Sequence, residues 1–341
     1  MARKASRVTI YDVAQQAGVA ISTVSRVLNE SPDVAAATRA HVLETIDALK
    51  YRPNRVAKSL AQPRSTVIAI AIPTFTTPFH NELLKGLRTV LAGREHDLLL
   101  FDLGSSDPLQ RLRSKLKGGT VDGLILAGIP VDPPLARELK ALRAPVILIG
   151  NHHTQFDSFF WDDTEGARIA ATHLIMAGHV RIGMIRAYTD GYLQLQRIRG
   201  YQDALTAHEI DFDPQLLQSG TTAKHAGFSE EHGFEAMQRL LESEPRPTGV
   251  LASSDVQAIG AWKSIRDAGL SVPQDIALVG YDDIKTSYYI GLSSVDQRIE
   301  GTGQAAAERL MYRLDNPGTK ERVDQRVTPT LRVRYSSNHQ R

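Results

Sequence analysis

The stretch of sequence that decides the fold is TIYDVAQQAGVAISTVSRVLN, residues 9–29. It opens on a capping box, because the Thr9 hydroxyl can accept a hydrogen bond from the N–H of Asp12 while the Asp12 carboxylate reaches back to the N–H of Thr9. The first helix therefore starts at about Ile10. Gly18 then supplies the left-handed residue that a tight exit from a helix needs. The stretch thus begins with a short helix and a sharp turn.

Two more short helices are predicted after this turn, from about residue 21 to 28 and from about 36 to 49. In the first of them Val24, Val27 and Leu28 share one face and point inward, as expected for an amphipathic helix. The opposite, solvent-facing side carries Ile21, Ser22, Ser25 and Arg26. Three helices around one small apolar core are therefore expected at the N-terminus.

Charge is distributed unevenly along the chain. Residues 1–64 hold ten Lys/Arg and five Asp/Glu, a net charge of +5, whereas the whole chain carries +2, which leaves −3 for the rest. A small basic unit on a mildly acidic body indicates a polyanionic partner for the first part only. Together with the three helices, this charge predicts a headpiece that reads DNA.

Composition limits the other classes of protein. With 341 residues the chain is long enough for two or three domains, and 42 % apolar with 23 % charged residues is ordinary for a well-cored protein. The absence of cysteine excludes disulfides, thiolate zinc sites and a Cys nucleophile. No apolar run approaches the ~20 residues needed to span a bilayer. The basic N-terminus lacks the apolar segment of a signal peptide, so we expect a cytoplasmic protein.

Beyond residue 66 the pattern changes to alternating strands and helices, and continuous apolar runs predict buried parallel strands. The first set of runs is 67–73, 98–103, 123–128 and 146–150, with helices near 80–93, 107–117 and 133–142. The second set is 182–187, 216–220, 249–254 and 276–283, with helices near 192–208, 229–242 and 256–268. Two such sets predict two doubly wound lobes. Ligands bind beyond the carboxyl ends of the strands in such folds, so the cleft between the lobes is the expected site.

The run YDVAxxAGV…STVSRVLN resembles the helix-turn-helix of the LacI/GalR repressor family, and YRPNRVAKSLA, residues 51–61, is similar to that family's hinge helix. The resemblance covers essentially the whole chain. It implies an N-terminal all-α helix-turn-helix headpiece plus hinge helix, followed by a two-lobed α/β core like that of periplasmic binding proteins, with parallel doubly wound sheets. The implied divisions are 1–53 for the headpiece, 54–64 for the hinge helix and linker, and 65–341 for the effector-binding and dimerisation core. Within the core, lobe 1 is expected at about 65–161 and 293–321, and lobe 2 at about 162–292 and 322–341.

By this resemblance the second helix enters the major groove of an operator. Ile21 and Ser22 fall where the family sets operator preference, and Arg26 falls where it contacts a base. Ile21 can read only shape or a thymine methyl, since its side chain makes no hydrogen bonds. Phosphate contacts, which position the protein without specifying sequence, are expected from Thr9, Tyr11, Thr23, Ser25, Asn29 and Thr38. Where the family usually caps its second and third helices with Ser or Thr, this chain has Ala20 and Ala35, each a loss of about 1 kcal/mol.

The hinge helix of the family forms on DNA, pairs with its dimer mate in the minor groove and wedges a leucine between the central base pairs. Leu60 is that leucine here, and Val56 is the expected contact between the two helices. Such a wedge costs roughly a few kcal/mol of base unstacking and yields a bent site with a larger interface. The other hinge residues implied to bind DNA are Tyr51, Asn54 and Ala57.

The strand ends carry the effector site that the resemblance implies. Carboxylates, an arginine, a glutamine and flat aromatic rings suit a polyhydroxylated ligand, because bidentate hydrogen bonds hold vicinal hydroxyls and a ring stacks on the sugar face. The implied effector is therefore a sugar or sugar derivative. Its expected ligands are Phe79, His80, Asn151, Trp161, Arg197, Phe228, Ser254, Asp255, Asp282 and Gln297. Arg197 and Asp282 are expected to be the principal ones.

The resemblance implies a ligand-responsive transcriptional regulator, usually a repressor, that binds a pseudo-palindromic double-stranded operator as a homodimer. Its effector would modulate the formation of the hinge helix. The final segment TLRVRYSSNHQR lacks leucine heptads, so a dimer is expected rather than a tetramer. No cofactor, catalytic residue, metal site or membrane partner is predicted.

Two other classes of protein stay open on the residues alone. A metalloenzyme is one, since His152 and His153 stand near Asp157, Asp162 and Asp163. However, no HExxH or comparable ligand spacing occurs, and adjacent histidines on an extended chain point to opposite faces. A solute-binding protein of the periplasmic type is the other, because it would share the two-lobed core. The basic headpiece and the missing export signal favour the regulator.

Overall fold

Three short helices make up the N-terminal unit, and a larger α/β unit follows. The computed structural model describes residues 8–28, 31–51, 67–94, 96–104, 107–117, 121–188 and 191–338. Residues 1–65 and 66–341 form two compact units. The predicted DNA contacts Asn29, Asn54, Ala57 and Leu60, together with the predicted hinge segment 54–64, lie outside the described residues.

The N-terminal unit consists of α1 (Ile10–Gln16), α2 (Ile21–Leu28) and α3 (Ala36–Ala48). Its apolar core joins all three helices and includes Val13, Ala14, Ala17, Val24, Val27, Val42 and Ile46. Each helix therefore buries one narrow face against the other two. The helix-turn-helix fold predicted from the sequence is confirmed.

The ends of these helices follow the local sequence. The Asp12 carboxylate accepts hydrogen bonds from the Thr9 N–H at 2.7 Å and from the Thr9 hydroxyl at 2.8 Å, which anchors the start of α1. Gly18 adopts φ +62° in the turn that follows, where a Cβ would be unfavourable. Ala35 precedes α3 and makes no side-chain capping bond, because its methyl group has no acceptor.

The first lobe of the larger unit is built on a parallel six-stranded sheet. Its strands are β1 (Val67–Ile72), β2 (Asp97–Asp102), β3 (Gly123–Ala127), β4 (Val146–Ile149), β5 (Asp157–Trp161) and β11 (Asp324–Val327). They lie in the order β11-β5-β4-β3-β1-β2. The helices of this lobe are α4 (Pro78–Leu91), α5 (Pro108–Leu116), α6 (Pro133–Ala141) and α12 (Ile299–Asp315). Both faces of the sheet carry an apolar layer.

The second lobe repeats this plan. Its strands are β6 (Ile182–Ile185), β7 (Leu217–Gln218), β8 (Gly249–Ala252), β9 (Ala277–Asp282), β10 (Ser293–Asp296) and β12 (Thr330–Arg332), in the order β12-β10-β9-β8-β6-β7. All pairs are parallel except β10 with β12. The helices are α7 (Asp163–Met176), α8 (Tyr192–Ala207), α9 (Glu230–Leu241), α10 (Asp255–Asp267) and α11 (Lys285–Ile290).

The chain passes between the lobes after β5, after β10 and after β11. Two of the predicted lobe boundaries are therefore wrong. Residues 293–296 pair with β9 in lobe 2, although the sequence placed 293–321 in lobe 1. Residues 324–327 pair with β5 in lobe 1, although 322–341 was assigned to lobe 2. The segments SSVD and DQRV are short and polar, so only their strand partners reveal which sheet they join.

Some predicted elements differ from the observed ones for physical reasons. The apolar run 98–103 was predicted to be buried, but β2 lies at the edge of its sheet and Leu98, Leu99 and Leu100 are 47, 43 and 39 % exposed. The apolar pattern predicts neither α7 nor α12. Small residues make up much of the buried face of both helices. Small side chains give a weak apolar periodicity, so the pattern is hard to recognise. Within the described ranges no helix is both long and apolar enough to cross a membrane.

Helices α7 and α8 pack closely against each other and against β9. A Cβ on Gly200 of α8 would lie 2.0 Å from the carbonyl oxygen of Thr164 in α7. A Cβ on Gly166 of α7 would lie 2.0 Å from the hydroxyl of Tyr281 in β9. Glycine is therefore required at both positions, and it lets two helices and one strand approach each other closely.

Candidate functional site

The surface of α2 presents the residues predicted to read DNA. Ile21 is 41 % exposed, and Ser22 and Arg26 are exposed beside it, whereas Val24 and Val27 are buried on the other face. The described residues among the predicted phosphate contacts are exposed or half-buried in the same unit: Thr9, Tyr11, Thr23, Ser25 and Thr38. The predicted hinge contact Tyr51 is half-buried. The unit therefore exposes hydroxyl groups, which suit phosphate contacts, together with an apolar side chain, which suits an apolar base contact.

In the larger unit, the start of α4 carries the first predicted effector ligands. Thr77 caps α4, and its Oγ1 lies 2.6 Å from Nδ1 of His80. The ring of Phe79 meets the ring of Trp161 edge-on, with 5.6 Å between centroids, and meets the His80 ring at 5.2 Å. Burial lowers the pKa of His80 to about 4, and His225 adds to this effect. His80 is therefore a neutral hydrogen-bonding ring beside Phe79 at neutral pH.

Hydrogen bonds through Gln297 connect the two lobes. The indole N–H of Trp161, at the end of β5, donates to the carbonyl oxygen of Gln297 at 2.8 Å. The side-chain amide of Gln297 donates to Oδ1 of Asp282, at the end of β9, at 2.7 Å. Gln297 itself lies in the crossing between β10 and α12. Three of the predicted ligands thus meet where the lobes join.

Arg197 lies in the second lobe in a fully formed polar cluster. Its Nε donates to Oδ1 of Asp163 at 2.7 Å, and its NH1 donates to the carbonyl oxygen of Ser253. The guanidinium carbon lies 3.8 Å from the centre of the Tyr281 ring, a cation–π contact. The side chains of Arg197 and Asp163 are only 6 and 2 % exposed. Helices α7 and α8 therefore hold a buried ion pair beneath the cleft.

The electrostatics of this cluster are dominated by burial. Burial raises the pKa of Asp163, while the Arg197 guanidinium opposes that rise. The pKa of Asp282 is also raised, first by burial and then by the neighbouring carboxylates of Asp255 and Asp163, against the effect of Arg197. Burial opposes the charge on Arg197, yet Asp163 keeps its pKa above the ordinary value. The carboxyl groups of Asp163 and Asp282 thus both interact with the single guanidinium of Arg197.

Several predicted effector ligands are occupied by bonds within the fold. Asn151 donates to the carbonyl oxygen of Ile129 at 2.9 Å. Ser254 caps α10 by accepting from the N–H of Gln257. Phe228 is half-buried and follows a 3-10 turn. The structure brings Phe79, His80, Trp161, Arg197, Asp282 and Gln297 toward one region, whereas Asn151 and Ser254 make hydrogen bonds within the fold.

Asp255 is also held inside the second lobe. It accepts hydrogen bonds from the N–H of Ile284 at 2.9 Å and from the hydroxyls of Ser287 at 2.7 Å and Ser294 at 2.6 Å. A Cβ on Gly280 would lie 2.1 Å from its Oδ1, so the strand beneath has room for this carboxyl only because residue 280 is glycine. Asp255 therefore joins α10 to the segment after β9, to α11 and to the start of β10.

Replacing Asp255 with asparagine should make the protein more stable at pH 8, by about 2 kcal/mol. Burial raises the pKa of Asp255 to about 7 from its ordinary 3.8, so the folded state favours the neutral acid. The stability contributed by this group is fully present below pH 3.8 and is lost as the pH rises through about 7. An amide stays uncharged, and the hydroxyl of Ser294 can turn to accept from it.

Urea unfolding of wild type and Asp255→Asn at pH 4 and pH 8 measures this effect. We expect the two proteins to differ little at pH 4 and clearly at pH 8. Asp255→Ala is the control, because it leaves three buried donors without an acceptor and should be less stable at both pH values. An asparagine variant that is less stable than wild type at pH 8 would contradict the prediction.

Two cavities flank this region. One, of about 300 Å³, lies between the lobes and is lined by Gly150, His152, Phe160, Trp161, Asp162, Asp163, Tyr192, Leu193, Gln196 and Arg326. The other, of about 140 Å³, is lined by Glu82, Asp282, Asp283, Asp296, Arg298, Ile299, Glu300 and Gly301. We call them the aromatic cavity and the acidic cavity. Both open where the strands of the two sheets end.

The residues that suggested a metal site have other partners. His152 lies 3.0 Å from Asp324, and the ring of His153 packs against Phe156. Asp157 is paired with two arginines of α12, Arg309 and Arg313. Among the residues that the structure describes, no group of three His, Cys, Asp or Glu side chains could hold a metal ion.

Sequence reasoning missed two members of the Arg197 cluster. The sequence suggests Asp163 only as a metal ligand, and it assigns Tyr281 no role of its own. Their roles depend on contacts between α7, α8 and β9. A weak signal was present, since Gly166 and Gly200 mark places of close approach, but a glycine does not say what it approaches.

The N-terminal helices and the larger unit together define a class of protein, a helix-turn-helix headpiece followed by a two-lobed binding core of the periplasmic type. The chain belongs to the lacI family of bacterial regulatory proteins. Residues 9–54 match that family, and residues 171–337 match the periplasmic binding protein-like domain. Catabolite control protein A of Priestia megaterium is 32 % identical over 326 residues, covering 94 % of this chain and 95 % of that protein.

Solved structures support the same assignment. The complex of the transcriptional regulator CelR with cellobiose aligns with a TM-score of 0.69 at 31 % identity, over 97 % of this chain and 100 % of that one. The lac repressor dimer bound to operator and the anti-inducer ONPF aligns with a TM-score of 0.75 at 27 % identity, over 97 % and 99 % of the two chains. The predicted family and fold class are confirmed, and these relatives are regulators of transcription.

Proposed function

We propose that this protein is a ligand-responsive transcriptional repressor that binds a pseudo-palindromic operator as a homodimer in the cytoplasm. The observation that carries the proposal is the exposed reading face of α2, Ile21, Ser22 and Arg26, in the same chain as a cleft lined by aromatic and carboxyl groups. The lac repressor relative is itself a dimer bound to operator. A homodimer would place one α2 in each of two half-sites.

The proposed effector is a sugar or sugar derivative held between the lobes. Phe79, His80, Trp161, Arg197, Asp282 and Gln297 are the proposed ligands, because they converge there from both lobes. The CelR relative was solved with cellobiose. An effector that bridges the lobes favours one relative orientation of the lobes, and this preference can change the spacing of two hinge segments at 54–64.

Selection from a random-sequence duplex library with the full-length protein tests the DNA-binding part of this proposal. We expect a pseudo-palindromic sequence to be enriched. We also expect the substitution Ile21→Ala to change the binding free-energy preference among the bases at that contact by ~1–3 kcal/mol. Leu43→Ala is the matched control, since Leu43 is 46 % exposed on α3 and is not assigned to a base. Enrichment of no sequence, or equal effects of the two variants, would count against the proposal.

Leu60→Ala tests the proposed hinge. Truncating the wedge should weaken binding to the selected operator by roughly tenfold or more and should reduce its bend, because the unstacked base step loses its apolar filler. Operator bending can be measured by energy transfer between dyes at the two DNA ends. A variant that bends the operator as wild type does would remove Leu60 from the proposed mechanism.

A further inference from the structure

We infer that the effector of this protein is an uncharged, hydroxyl-rich molecule, and that the cleft rejects phosphorylated and acidic sugars. The inference rests on the proposed function, because it assigns a chemical class to the ligand of the same cleft. It comes from the pairing of charges around the cleft. An arginine in a binding site is often the partner of a phosphate or a carboxylate, so its pairing decides which ligands the site can hold.

Arg197 is already neutralised. Its Nε–H is bonded to Asp163 at 2.7 Å, one NH1 hydrogen is bonded to the Ser253 carbonyl, and the Tyr281 ring covers its face. A guanidinium carries five N–H donors, so some donors are left for ligand hydroxyls. However, its positive charge is balanced by the carboxylate of Asp163, which is buried beside it. A ligand anion would have to compete with Asp163 for that charge.

The aromatic cavity offers no other free cation among the described residues that line it. Arg326 lies 2.7 Å from Asp162, which also lines the cavity. His152 lies 3.0 Å from Asp324. The remaining wall consists of Phe160, Trp161, Tyr192, Leu193, the amide of Gln196 and the paired Asp163. Flat rings and paired charges suit a neutral sugar ring, which stacks and makes hydrogen bonds without bringing charge.

The acidic cavity is lined mainly by carboxyl groups. Its wall contains Glu82, Asp282, Asp283, Asp296 and Glu300 beside the single cation Arg298. Glu82, Asp283 and Asp296 are each paired from outside the wall, with Lys85, Arg334 and Arg332 at 2.7, 2.6 and 2.8 Å. Burial also raises the pKa of Asp282, which favours its neutral form. An anionic substituent on the effector would therefore compete on this side with carboxylates that already hold these three cations.

Acceptors, in contrast, are in excess. Oε1 of Gln297 is buried and has no hydrogen-bond partner among the described residues, while the amide nitrogen of the same side chain donates to Asp282. A buried acceptor without a partner is costly, and a ligand hydroxyl can satisfy it. Gln297 and Asp282 thus favour a ligand that donates several hydrogen bonds.

Calorimetric titration of the full-length protein with matched sugar pairs tests the inference. The probes are D-ribose with ribose 5-phosphate, D-glucose with glucose 6-phosphate and with gluconate, and cellobiose. We expect at least one neutral sugar to bind, with a Kd at least a hundredfold lower than that of its charged counterpart. Binding of a charged member as tight as that of its neutral partner would overturn the inference, and so would the failure of every neutral sugar to bind.

Asp163→Asn provides a gain-of-function test. The amide keeps an acceptor for Nε of Arg197 but removes the balancing charge, so the affinity for the phosphorylated member should rise at least tenfold. Glu165→Gln is the matched control: it removes one charge from the same helix, where Glu165 pairs with Arg168 near the surface, and should leave both affinities unchanged. Equal affinities of the two variants for the phosphorylated sugar would contradict the assigned role of Asp163.

Operator binding without sugar, measured beside these titrations, separates the two proposals. A protein that binds operator but prefers phosphorylated sugars would overturn only the inference. A protein that binds sugars but selects no operator would overturn the proposed function.

Discussion

Replacing Arg197 with alanine should lower the free energy of unfolding of the core by about 3–5 kcal/mol and abolish the response to effector. The substitution removes the partner of a carboxylate whose side chain is only 2 % exposed, and it leaves the Ser253 carbonyl without a donor. An isolated buried charge is costly, so Asp163 will take up a proton in the variant or admit water. Either change disturbs the packing of α7 on α8.

Urea unfolding of the full-length protein and sugar titration measure the two effects. Arg168→Ala is the matched control, because Arg168 pairs with Glu165 near the surface and its loss should cost less than about 1 kcal/mol. The double variant with Asp163→Asn should recover part of the lost stability, since it removes the unpaired charge. Equal costs for Arg197→Ala and Arg168→Ala would show that the buried pair does not stabilise the core.

Gly200→Ala should destabilise the core by about 3 kcal/mol, near the upper end of what overpacking costs. The new methyl would lie 2.0 Å from the Thr164 carbonyl oxygen and 2.9 Å from the Arg168 nitrogen, both backbone atoms that cannot rotate away. The only relief is to separate α8 from α7. Because Arg197 and Asp163 lie on these two helices, the ion pair would lengthen and the affinity for effector would fall with the stability.

Gly301→Ala is the control for this prediction. Gly301 also lies in a helix, but a Cβ added there would have no described neighbour within 4 Å, so alanine should be neutral or stabilise by about 0.5–1 kcal/mol. Thermal unfolding of both variants measures the difference. If Gly200→Ala were as stable as Gly301→Ala, the helices would not be in the contact described here, and the position of Arg197 would need another explanation.

Much of the architecture could be predicted from local patterns. The capping residues Thr9 and Asp12, the turn at Gly18 and the apolar strands are short-range signals, and each appears in the structure where the sequence places it. The lobe boundaries could not be predicted in this way. Strands β10 and β11 carry few apolar side chains, and membership in a sheet is decided by partners distant in the chain.

The candidate site could likewise be predicted only in part. Residue types at strand ends, such as Asp282 and Trp161, indicated a polar and aromatic cleft, because parallel strands bring their carboxyl ends to one edge. The bonds that Asn151, Ser254 and Asp255 make inside the fold could not be foreseen, since each depends on a neighbour from another element. Side-chain type predicts what a residue can bind, whereas packing decides what it does bind.

The sequence by itself determined the family, the helix-turn-helix headpiece and the two-lobed class of the core. These properties depend on periodicity, capping and turn residues, which act over a few positions of the chain. Only the tertiary structure showed that Asp163 neutralises Arg197 and that Gln297 connects Trp161 to Asp282. The charge that a ligand meets depends on which groups lie within a few ångströms of each other, and the order of residues along the chain does not specify those distances.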